Sequence, residues 1–185
     1  MNFLVTAANF ISQLIGTLVE TIGKLASWLV VFMVLVTFGI VVMRYVFNTG
    51  SIQVQESVLY MHATLFLLAA ASTLKQDGHV RVDIFYGKMS VKRKAVVDTL
   101  GNLLLLIPVC AFIFWSSWEY VADAWEIQET SREAGGLPGV YLVKTLILVF
   151  SSLLILQSIA EILKNIRTLF SPSDNNPPST VNLSD

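Results

Sequence analysis

The sequence predicts an all-α integral membrane protein: a four-helix bundle preceded by an amphipathic N-terminal helix, with both termini in the cytoplasm. Three observations point to it. Hydrophobic residues make up 55% of the chain and charged residues only 14%, with a mean hydropathy of +0.68, a balance that leaves too little polar surface to clothe a soluble domain. Four apolar stretches approach or exceed the roughly 20 residues a helix needs to cross the hydrocarbon core. Lysine and arginine collect on alternate connections, as they do where loops stay on the cytoplasmic side.

The first element is the stretch 1–24. Phe3, Ala7, Phe10, Ile11, Leu14, Ile15, Leu18 and Ile22 recur at helical spacing, opposite Asn2, Thr6, Asn9, Gln13, Thr17 and Glu20, which predicts an amphipathic helix. Lipid-bound helices display lysines on the polar face, whereas this face is nearly uncharged. Packing on the bundle or on a partner therefore stands level with a place in the inner interface. The stretch lacks the basic start and compact apolar core of a cleavable signal peptide, so it is expected to stay in the mature protein. Asn9, Gln13 and Gly16 argue against a fifth crossing.

The four spans are expected at 25–43, 56–74, 95–118 and 137–163, within a membrane domain covering 25–165. Pro108 lies inside the third and predicts a kink rather than a boundary. Gly135, Gly136, Leu137 and Pro138 precede the fourth, the glycines ending what comes before and the proline suiting a first helical turn. The remainder, 166–185, is expected to be a disordered cytoplasmic tail, because from Ser171 onward it is rich in Pro, Asn, Ser and Asp and has almost nothing to bury.

Direction follows from charge. The second connection carries Lys75, Arg81, Lys88, Lys92, Arg93 and Lys94, whereas the third holds Glu119, Asp123, Glu126, Glu129 and Glu133 against Arg132 alone. The second is therefore expected inside and the third outside. Tyr45, Phe47, Tyr60, Trp115, Trp118, Tyr120, Trp125 and Tyr141 then form an outer aromatic belt, with Trp28 marking the inner interface.

Chemistry-bearing constellations are sparse. Arg44 and Glu56 flank the short outer turn and are placed to meet across it. Lys144 stands one or two turns into the fourth span, where it either snorkels outward or pairs with a carboxylate such as Glu56. His62 is the one titratable group well inside a span, and packing is the simpler role for it. Asp77, His79 and Asp83 match no metal-ligand spacing, so their loop is read as a turn anchored at anionic headgroups of the membrane lipid. Cys110, the single cysteine, excludes an intrachain disulfide. No nucleophile with a base and no phosphate loop appears, so neither an enzyme nor a cofactor is implied, and a net charge of -1 argues against nucleic acid. Glu119, Asp123, Glu126 and Glu129, beside Trp118 and Trp125, offer either a solvated helical extension or a docking surface for an extracytoplasmic protein.

Taken in order, these residues resemble the DctQ family, the small membrane subunits of tripartite ATP-independent periplasmic (TRAP) transporters. The resemblance runs from about residue 25 to 165 and rests on Arg44-Tyr45-Val46-Phe47-Asn48, on Glu56, and on His79-Val80-Arg81-Val82-Asp83-Ile84. Asp98, Gly101, Gly135-Gly136-Leu137-Pro138, Lys144 and Gln157 continue it. Gln55 departs from it, since many relatives carry an acidic residue there. The resemblance implies a bacterial inner-membrane scaffold for a large permease subunit. That subunit would take up an organic acid or similar solute with sodium, delivered by a periplasmic binding protein. Arg44, Glu56, His79, Arg81, Asp83, Gly135, Gly136, Pro138, Lys144 and Gln157 become its candidate motif or partner-interface residues. The alternative is the membrane anchor of a respiratory complex, but a haem-binding bundle would place two axial histidines at matching depth, and His62 and His79 are not so placed.

Overall fold

The computed structural model describes residues 2–79 and 86–170, so Arg81, Asp83 and the chain from 171 onward lie outside the described residues. Four helices are long and apolar enough to cross a membrane: α1 (Asn2–Tyr45), α2 (Ile52–Lys75), α3 (Val91–Glu126) and α4 (Val140–Phe170). They run alternately up and down. One end of the bundle gathers Lys24, Lys75, Lys164 and Arg167, and the other carries the acidic connection 127–139.

The expected junction between an N-terminal helix and a first span is absent. α1 is one helix of 44 residues, about 66 Å at ~1.5 Å per residue, because nothing near residue 24 breaks it: no proline intervenes, and both glycines are held by neighbours. Gly16 lies under the Lys75 side chain. A Cβ on Gly23 would stand 2.5 Å from Ser72 Cβ.

The face of α1 turned to the bundle is a stripe of small residues flanked by part of the apolar face, for Ile15 and Ile22 pack against the core. Gly16, Val19, Gly23 and Ala26 are buried, whereas Phe10, Leu14 and Leu18 are exposed. Lipid solvates large apolar side chains as well as another helix does, so close packing selects the small stripe, while Gln13 and Thr17 of the polar face stay exposed. Ser12 Oγ donates to the Ala160 carbonyl at 3.2 Å and Arg167 Nη1 to Asn9 Oδ1 at 3.2 Å. The N-terminal segment thus packs on its own chain, along α4. The same contacts account for α4 remaining helical to Phe170, past the expected end of the membrane domain.

α3 carries its irregularity where the proline demands it. Asn102–Leu106 forms a π-helical turn just ahead of Pro108. Proline has no N–H to give, and its ring displaces the carbonyl four residues back, so the preceding turn widens while the helix continues. Beyond it α3 runs on to Glu126, a helical extension of the kind the sequence offers beside Trp118 and Trp125.

α4 is the hub, touching each of the other three helices. About a third of its most apolar window is buried, against about a tenth or less for the other helices. The core joins Val19, Ala71, Cys110, Leu153 and Leu154, and its fully enclosed polar side chains are the small hydroxyls of Ser151 and Ser158 and the amide of Gln157.

Candidate functional site: the polar cap at the acidic end

α3 ends in a left-handed turn. Gln128 has φ +47°, and the amide of Glu129 returns to the Ala124 carbonyl at 2.9 Å, a closure that satisfies a terminal carbonyl. The turn throws Glu129 back across the helix, where it forms an ion pair with Lys144 of α4. The ammonium also lies 3.8 Å above the Tyr120 ring. Lys144 thus neither snorkels freely nor pairs with Glu56. Its carboxylate comes from the acidic connection, and both side chains of the pair are mostly covered.

Glu56 has a different role from the one its position suggests. Among the described residues no ion pair joins it to Arg44, which is exposed at the end of α1. Instead it receives the Ser131 hydroxyl on Oε1 and the Leu137 amide on Oε2, the latter at 2.6 Å. The Ser131 amide donates in turn to the Leu137 carbonyl at 3.2 Å. One carboxylate from α2 therefore pins both strands of the connection.

The glycines are explained by the same contacts. Gly135 sits at φ +80°, in the left-handed region glycine enters at little energetic cost. A Cβ on Gly136 would stand 2.7 Å from Glu56 Oε2 and strike Ser131. Pro138 follows, exposed, and α4 opens at Val140, three residues later than the apolar stretch indicates, because Leu137 is engaged by Glu56. Trp125 completes the cap, donating from Nε1 to Thr145 Oγ1 at 2.8 Å and meeting Tyr141 edge-on at 4.7 Å.

These groups border a cavity of about 510 Å³ whose wall includes Glu56, Tyr60, Tyr120, Ser131 and Lys144. Glu119, Asp123 and Glu126 remain exposed on α3. His79 is exposed in the bend after α2, and Gln157 is buried at the far end, donating to Glu161. Ser131, Tyr120 and Thr145 were not identifiable from sequence, because a serine in a loop and a tyrosine or threonine on a helix carry no signature of their partners.

The comparisons agree with this architecture. The family described as tripartite ATP-independent periplasmic transporters, DctQ component, matches residues 33–168, which takes in all of α2 and α3, most of α4 and the last part of α1. A protein of Haemophilus influenzae described as a TRAP transporter small permease is 30% identical over 111 residues, 60% of this chain and 64% of that protein. The chain thus aligns with less than two thirds of that relative's length. No solved structure matches. With most of the chain inside the family's own pattern and four helices long and apolar enough to cross a membrane, this multi-pass membrane protein belongs to the DctQ family, the small permease components of TRAP transporters, and is not an enzyme.

Proposed function

We propose that this chain is the scaffold subunit of a three-part importer of the inner membrane. It packs against a large permease subunit that carries an organic acid or similar solute inward with sodium, and a periplasmic binding protein delivers that solute. The observation that carries the reading is His62. It lies near the middle of α2, exposed and without a partner among the described residues, between Leu59 and Phe66, which are 64% and 68% exposed. An imidazole facing hydrocarbon at that depth is unfavourable, which supports a protein neighbour offering a hydrogen bond on this face of α2. The basic residues at the other end of the bundle favour both termini in the cytoplasm.

The test is affinity purification of the tagged chain in mild detergent with identification of what accompanies it. An equimolar polytopic permease is the expected companion, and His62→Leu should reduce its recovery while leaving the small subunit inserted. Recovery of the chain alone, or uptake in cells that express only this subunit, would refute the scaffold role. Glu119, Asp123 and Glu126 are proposed as a docking surface for the binding protein. The changes Glu119→Gln, Asp123→Asn and Glu126→Gln together should lower the rate of binding-protein association, most visibly at low ionic strength, in an interferometry assay with the assembled transporter.

A further inference from the structure

At the basic end, α1, α2 and α4 enclose a second cavity of about 390 Å³, walled by Ser12, Gly16, Lys75, Gln157, Glu161 and Lys164. Gln157 is 1% exposed. Its Nε2 donates to Glu161 Oε1 at 3.0 Å, while its Oε1 has no partner among the described residues. A buried amide oxygen is ordinarily satisfied, so this one marks a place for a donor. Lys75 is already engaged, donating to the Gly16 carbonyl at 2.8 Å and to Glu20 at 2.7 Å. Lys164 is held only loosely, 3.6 Å from Glu161 and 68% exposed at the rim.

The wall therefore presents an unused acceptor in its depth, a carboxylate beside it and an available ammonium at the mouth. A simple anion would meet Glu161, and a simple cation would meet Lys75 and Lys164. A group bearing both signs, with N–H bonds to donate from its positive end, answers all three. The level is right for a lipid headgroup, since α2 ends at Lys75. Exposed Leu14 and Leu18 beside the cavity provide an apolar surface for acyl chains.

We propose that this cavity binds the phosphoethanolamine headgroup of a membrane lipid. The ammonium donates to Gln157 Oε1 and to the Glu161 carboxylate, and the phosphodiester faces Lys164. A choline headgroup carries the same charges but has no N–H to donate, and a glycerol headgroup has the phosphate without the ammonium. The chemistry therefore separates three common lipids.

The experiment is native mass spectrometry of the purified full-length chain, offered phosphatidylethanolamine, phosphatidylcholine or phosphatidylglycerol in turn at equal concentration. Phosphatidylethanolamine is expected to remain bound about tenfold more than either rival, the scale of one hydrogen bond to a buried group. Gln157→Met, which keeps the side-chain length, should erase that preference, and Lys164→Gln at the exposed rim should weaken retention. Equal retention of the three lipids overturns the proposal. So does a Gln157→Met chain that still prefers phosphatidylethanolamine, which would mean that water alone satisfies the amide. Binding of soluble O-phosphoethanolamine without the lipid would overturn the lipid as source. If Gln157→Met fails to fold, the lipid comparison on the unaltered chain and the Lys164→Gln variant decide the matter.

Discussion

A single methyl group at position 136 has nowhere to go, because Glu56 Oε2 would be 2.7 Å away and the Ser131 hydroxyl that shares the carboxylate would have to leave. Gly136→Ala is therefore expected to loosen the whole connection 127–139. The Leu137 amide, now bonded to Glu56, should exchange about tenfold faster, equivalent to about 1.4 kcal/mol of local stability. Hydrogen exchange followed by mass spectrometry reads this directly, and an unchanged Leu137 amide would show that Glu56 does not pin the loop. The glycine pair, Glu56 and Lys144 were all legible in the sequence as singular residues. Their partners were not. Arg44 and Glu56 are close along the chain and opposite in charge, yet the carboxylate turns to a serine and an amide whose proximity arises only when α4 packs beside α2.

α1 and α2 meet through a shortage of side chain rather than through bulk. Gly23 faces Ser72 so closely that an added Cβ would lie 2.5 Å from the serine's own. In a membrane, where apolar side chains gain little by leaving lipid, such close approach is the main attraction between helices. Gly23→Ala should therefore destabilise the bundle by about 1–3 kcal/mol, the usual effect of overpacking, seen as a lower unfolding temperature in detergent. Adding Ser72→Gly should restore most of it, and failure of that rescue would place the strain elsewhere. That four apolar helices lie along the chain was legible from hydropathy, glycine and proline, whereas the helical ends of α3 and α4, at Glu126 and Phe170, lie well past the expected spans. The orientation of α1 was not legible, because helical periodicity identifies two faces without saying which one the bundle takes. The irregularity expected at Pro108 takes the form of a widened turn at Asn102–Leu106 in a continuing helix.

At the scale of the molecule, charge is sorted between the two ends. Lys24, Lys75, Lys92, Arg93, Lys94, Lys164 and Arg167 stand at one, and Glu119, Asp123, Glu126, Glu129 and Glu133 at the other. The rule that positive charge stays inside then gives a definite expectation. Arg132→Cys should react with a membrane-impermeant maleimide from the periplasmic side of intact inner membranes, and Asn176→Cys only after lysis. Cys110 is buried, so it adds little background. Labelling of position 176 from outside would invert the topology and move the proposed binding-protein surface to the cytoplasm.

Membrane class, the number of candidate spans, an irregularity in the third helix near Pro108 and family membership were determined by the sequence itself. They depend on composition, on runs of apolar residues and on motifs local to the chain. Tertiary structure alone decided that α1 packs on α2 and α4 through its small residues, that α4 is the hub, and that Glu129 neutralises Lys144 while Glu56 holds the loop. Each of these joins residues distant along the chain. In a bilayer, apolar patterning does not say which face is inside, because lipid and protein solvate apolar side chains nearly alike.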